Sequence, residues 1–146
     1  MLRIVVDTNL WVRALLGGRV TFPVLEAWRA GRFTVVVSQY LLDELEDVCK
    51  RPRLCTRIDA TDAQGLLEQL QYRGEMVEPF TVPPRCRDPR DEPVLAAAID
   101  GYANAIVTGD ADLRADDALR TDMGRYGVEL WGVEALLERL RTEPDP

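Results

Sequence analysis

Histidine is absent from this chain of 146 residues. That removes Ser-His-Asp and Cys-His hydrolytic centres, histidine acid–base catalysis and any His-bound zinc site. Cysteine is sparse. Cys49, Cys55 and Cys86 form no CxxC pair, and an odd count in a chain without an export signal argues against a disulfide framework. Lysine occurs once, as Lys50. No apolar run approaches the roughly 20 residues of a membrane span, and the opening run from Leu2 to Val6 is too short for a signal-peptide core. A cytoplasmic protein with no membrane association is therefore expected. If the chain is an enzyme, its chemistry must come from carboxylates, hydroxyls, arginine, Lys50 or a cofactor.

What is present is an ordinary globular composition, with 47% hydrophobic and 29% charged residues. The length suits one domain with a substantial core. A net charge of -7 argues, taken alone, against a generic nucleic-acid binder. The distribution weakens that objection. Arg51, Arg53 and Arg57 cluster after one helical stretch, and Arg85, Arg87 and Arg90 cluster before another. Arginine suits bidentate phosphate contact, although such clusters also occur as solvated helix ends.

Apolar runs alternate with helical periodicity along the whole chain. Residues 2–6, 33–37, 105–108 and 128–131 read as strands, and 75–82 as a short strand and connector ended by Pro83-Pro84. Helices are expected from Thr8 to Leu16, Val24 to Ala30, Gln39 to Lys50, from Thr61 or Asp62 onward, Asp91 to Ala103 and Val133 to Leu140. Gly17-Gly18 ends the first, and Ser38 caps the third. The pattern is α/β with a central parallel sheet. One domain is expected over residues 1–141, with 142–146 as a frayed tail.

Acids recur where such a fold converges. Asp7 follows the first strand, Glu44 lies in the helix that Ser38 begins, Asp91 opens a later helix, and Asp110 with Asp112 follows another strand. In open parallel sheets, ligands bind at the carboxyl ends of the strands. Each acid also has a plainer reading. Asp7 and Asp91 can be helix N-caps, Glu44 sits in the acidic stretch from Asp43 to Asp47, and Asp110-Ala111-Asp112 can be a polar turn. Helical phase places Glu44 at the edge of the face carrying Leu41, Leu45 and Val48, with Asp43 and Asp47 pointing elsewhere. Carboxylates gathered together repel one another unless a cation lies between them, so the set points to a divalent metal and phosphodiester chemistry.

Val5-Val6-Asp7-Thr8-Asn9, the Ser38 to Leu45 segment, Asp88-Pro89-Arg90-Asp91-Glu92-Pro93-Val94-Leu95-Ala96-Ala97-Ala98 and Ile106-Val107-Thr108-Gly109-Asp110-Ala111-Asp112-Leu113 occur in this order across nearly the whole chain. Together they resemble the PIN-domain ribonucleases, most closely the VapC-like toxins of toxin–antitoxin pairs. The resemblance implies a three-layer α/β/α PIN-type fold. It implies that Asp7, Glu44, Asp91 and Asp110 bind Mg2+ or Mn2+, with Asp112 replacing or assisting Asp110, and Asn9, Thr108 and Ser38 as supports. It further implies metal-dependent RNA hydrolysis, inhibition by a cognate antitoxin, and a homodimer. Arg51, Arg53, Arg57, Arg85, Arg87 and Arg90 would grip the RNA backbone, with Arg13 and Arg19 as weaker candidates. The rival readings are a non-catalytic PIN-like binding or scaffold protein and a small-molecule phosphatase.

Overall fold

The computed structural model describes residues 1–143. Short runs of buried aliphatic residues form the strands β1 (Arg3–Val6), β2 (Thr34–Val37), β3 (Glu75–Met76), β4 (Ala105–Val107) and β5 (Glu129–Trp131). They make one five-stranded parallel sheet in the order β3-β2-β1-β4-β5. In register, Ile4 stands beside Val35 of β2 and Ala105 of β4.

The two-residue period of a strand divides the core between two faces. Ile4, Val6, Val35, Val37, Ala105 and Val107 face one layer of helices. That layer contains α1 (Thr8–Leu15), α2 (Phe22–Arg29), α3 (Gln39–Cys49), α5 (Ala60–Arg73) and α9 (Val133–Thr142), with a short α4 (Pro52–Cys55) between α3 and α5. Val5, Val36, Ile106 and Leu130 face the other way, against α6 (Glu92–Asp100), α7 (Ala111–Arg114) and α8 (Asp117–Gly124). The result is the expected three-layer α/β/α arrangement. Burial on both faces explains why the strands are uninterrupted apolar runs. Each fully buried branched side chain contributes roughly 1.5–3 kcal/mol.

Several boundaries differ from the sequence reading. The third strand is only Glu75–Met76, because nothing beyond Val77 pairs with β2. Helix α5 starts at Ala60 rather than Thr61 or Asp62, since the Asp59 carboxylate accepts from Thr61 N and Asp62 N and sets the cap. A 3-10 turn, Pro89–Asp91, precedes α6, which ends at Asp100 rather than Ala103. Residues 113–127 received no assignment from sequence, yet they carry the end of α7 and all of α8. Pro144, Asp145 and Pro146 of the expected tail lie outside the described residues. Among the described residues, no helix is long and apolar enough to cross a membrane.

The strand order positions the site. The chain adds β2 and β3 on one side of β1, then crosses to add β4 and β5 on the other. The two halves wind away from each other at β1 and β4, which opens a crevice at their carboxyl ends. Asp7 leaves β1 there, with its N–H donating to Val107 O at 3.0 Å.

Candidate functional site

A polar cleft of about 440 Å3 occupies this crevice, and Asp7, Glu44, Asp88, Asp91 and Asp110 all line it. Four of these five are the acids expected from sequence. Asp88 is an addition: it belonged to the matched segment but had no role assigned. Asn9, Arg51 and Arg90 also line the cleft.

Each acid is held by a local device. Asp7 stands at the N-cap position of α1 without a side-chain capping bond, and Thr108 Oγ1 donates to its Oδ2 at 3.0 Å. Thr108 is fully buried, and its Oγ1 also accepts from Asp110 N at 3.1 Å. One hydroxyl therefore ties the ends of β1 and β4 together. Asp110 caps α7, its Oδ1 accepting from Asp112 N at 2.9 Å and Leu113 N at 3.3 Å. Glu44 is half-buried while Asp43 and Asp47 are exposed, as helical phase required. Thr8 Oγ1 donates to Glu44 Oε2 at 3.2 Å. Thr8 is a positioning residue the sequence did not reveal, because a threonine after Asp7 reads equally well as part of an ordinary cap. Asp91 occupies the N-cap position of α6 but makes no capping bond, so capping does not account for it.

The electrostatics follow from this crowding. Burial raises the Asp91 carboxyl from 3.8 to about 6, with the negative charges of Asp7, Asp88 and Asp110 adding to the rise and Arg90 opposing it. Burial also raises Asp7. The Thr108 hydroxyl and the backbone N–H groups of Asn9 and Thr8 pull it back, and Asp110 pushes it further up. Arg90 forms a forked pair with Asp88, Nη2 to Oδ2 at 2.9 Å and Nε to Oδ1 at 3.1 Å, which holds that carboxyl below its ordinary value.

Not every expected residue converges. Asp112 lies outside the acidic cleft, in a hollow shared with Arg85 and Arg87, and Arg87 Nη1 approaches its Oδ2 at 3.6 Å. The reason is the α7 turn: Asp110 spends its carboxylate capping the Asp112 amide, and the next turn carries the Asp112 side chain outward. Ser38 is buried and caps α3, accepting from Leu41 N at 3.3 Å, and does not line the cleft. The arginine group after α3 divides. Arg51 joins the cleft, Arg57 faces a different hollow, and Arg53 joins neither.

The donor set suits a hard divalent cation. It consists of carboxylate oxygens, and the repulsion among Asp7, Asp91 and Asp110 is what a cation would relieve. Among the described residues, no three acids stand close enough to ligate one ion together. That departs from the expectation that all four would be near enough to share a metal. It is compatible with Mg2+, which keeps several waters and takes one or two carboxylates.

Residues 3–112 match a family model described as a PIN domain. No curated protein matches the chain. The matched span begins at β1 and includes every acid of the cleft.

Proposed function

The chain belongs to the PIN-domain family, whose members are generally nucleases that use divalent metals, and from that premise we propose that it is a Mg2+- or Mn2+-dependent endoribonuclease. The observation that carries the reading is the gathering of Asp7, Glu44, Asp91 and Asp110 in one cleft at the switch point of the sheet. Of Asp7, Glu44, Asp91 and Asp110, one or two would ligate the ion directly and the others would meet its bound waters. When bound, it supplies an activated water and neutralises charge on the phosphodiester oxygens.

The chain's own residues do the rest. Thr108 fixes the Asp7 carboxylate, and Thr8 fixes Glu44. Below pH about 6, Asp91 holds a proton on its carboxyl oxygen, and above it the site gains a negative charge. Arg51 at the cleft wall would meet phosphate oxygens, as would Arg90 on release from its pair with Asp88. No histidine is needed at any point. The wider reading is a cytoplasmic, homodimeric toxin silenced by a cognate antitoxin that covers this cleft. Its support is the sequence resemblance to VapC-like toxins.

The test is cleavage of a mixed RNA pool with Mg2+ or Mn2+, comparing the wild type, Asp7→Asn and an EDTA control. Metal-dependent cuts that vanish in the variant are expected. A folded wild-type protein that cuts nothing with either metal refutes the enzyme and leaves a binding or scaffold protein.

A further inference from the structure

A second hollow, of about 880 Å3, opens beside the acidic cleft and has the opposite charge. Arg13, Arg19, Arg57 and Arg114 line it, against one acid, Glu134. Among the described residues, none of these four arginine side chains has a hydrogen-bond or carboxylate partner, and Arg114 Nε is buried without one. Elsewhere among the described residues, Arg3, Arg87, Arg90, Arg125, Arg139 and Arg141 each reach a carboxylate, and Arg51, Arg53, Arg85 and Arg120 stand without one outside this hollow. In a chain of net charge -7, acids are plentiful. The side chains of Arg13, Arg19 and Arg57 are exposed, so their guanidiniums are open to an anionic ligand in the hollow.

The backbone is shaped for these side chains. A Cβ at Gly109 would stand 2.7 Å from Arg13 Nη1, and one at Gly132 would stand 2.6 Å from Arg114 Nη1. Each guanidinium therefore lies against bare backbone, and any larger residue would displace it. Arg13 and Gly109 line both hollows. A strand of phosphodiesters that crossed from one to the other would pass from the acids to the arginines. Leu16, Val20 and Val133 supply an apolar wall on which a base can rest, and the volume falls within the roughly 300–1,000 Å3 of small-ligand sites.

We infer that this hollow is a nucleotide subsite, in which Arg13, Arg19, Arg57 and Arg114 hold the phosphate of the nucleotide adjoining the scissile bond. The inference rests on the nuclease reading above and assigns that site its substrate-gripping surface. Guanidinium forks match phosphate oxygens in pairs.

The experiment measures binding of a short, fluorescently labelled single-stranded RNA by anisotropy in EDTA over a range of salt. Arg19→Ala/Arg57→Ala is compared with the wild type and with Arg125→Ala/Arg141→Ala, which removes equal charge elsewhere. Arg114→Gln is a third variant; the Arg19/Arg57 pair is exposed and keeps the test valid if Arg114→Gln fails to fold. The Arg19/Arg57 variant is expected to bind at least about tenfold more weakly. Its slope of log K against log salt should fall by about 0.7 for each arginine that meets a phosphate. The charge control should change neither. Equal losses in both double variants, no loss in either, or no RNA binding by the wild type overturns the subsite. So does tighter binding of adenosine monophosphate or of an acidic peptide than of RNA. Cleavage is scored separately. Asp7-dependent cutting with an unchanged Arg19/Arg57 variant sinks the subsite alone, whereas the arginine signature without cutting sinks the nuclease alone.

Discussion

Asp91→Asn should stabilise the metal-free protein at neutral pH while destroying its function. The burial and neighbouring carboxylates that lift Asp91 from 3.8 to about 6 make its charged form unfavourable in the folded state. At about 1.4 kcal/mol per pH unit, that span has an upper bound of roughly 3 kcal/mol. Asp91 remains partly exposed, so solvent screening reduces the effect to about 1–2 kcal/mol. The sign follows from proton counting. Below 3.8 the carboxyl is protonated in both folded and unfolded chains, and wild type and variant should agree. Between 3.8 and about 6 the unfolded chain has lost the proton that the folded chain keeps, so wild-type stability falls as pH rises. Above about 6 the deficit is complete. Urea denaturation in EDTA at acid and neutral pH reads the difference directly. A domain of this size should show a gain in Tm of roughly 3–6 °C for the variant at neutral pH. Added Mg2+ should then stabilise the wild type more than the variant, because the cation relieves the same repulsion. A variant less stable than wild type at neutral pH, or a gain that does not change with pH, refutes the argument that crowded carboxylates are held in the cleft at a cost.

Thr108→Val removes the hydroxyl that serves both Asp7 Oδ2 and Asp110 N. It should cost about 1.5–3 kcal/mol in urea denaturation and lower metal-dependent cleavage, with the Asp7 carboxyl moving further up as its donor is lost; unchanged stability and cleavage would count against Thr108 as the tie between β1 and β4. Gly101→Ala tests the packing of α6 on the sheet, since its Cβ would run into Val36 Cγ1 and come within 2.8 Å of Ala97 O. A loss of about 1–3 kcal/mol is expected, with metal binding of the surviving folded protein intact; a neutral substitution would show that α6 can shift away from β2.

Much of the fold was legible because its strands are buried on both faces. Val35, Val36 and Val37 leave no solvent side to interrupt the apolar run, and the helices between strands carry clear apolar faces. Asp7 was legible because an acid directly after such a run must be satisfied by something. Glu44 was legible through phase, which separates it from Asp43 and Asp47 on α3. Helices α7 and α8 were not, because they are short and polar and are set by the side-chain caps of Asp110 and Asp116 rather than by a long apolar stripe. Asp112 was misplaced for the same reason: two acids spaced by one residue do not reveal which one faces the cleft until the turn between them is known. Thr8 and Arg114 were missed because their significance lies in contacts with Glu44 and with the backbone at Gly132.

The acidic net charge is compatible with the proposed nucleic-acid substrate on the same geometry. Electrostatic screening at physiological salt acts over about 8 Å, so a bound strand responds to the groups that line its path more than to the charge of the whole molecule. Here that path has two compartments. The cleft gathers five acids whose charge would oppose a phosphate beside them without a cation, and the neighbouring arginine hollow would attract one regardless. On the proposed reading, a strand held by Arg13, Arg19, Arg57 and Arg114 would bring its next phosphate to Asp7 and Asp91 only with a cation bound there. Binding and cleavage should accordingly separate: RNA affinity in EDTA is set by the arginines, and the affinity gained on adding Mg2+ is set by the acids. A wild-type protein whose RNA affinity depends wholly on Mg2+ would contradict this division of labour.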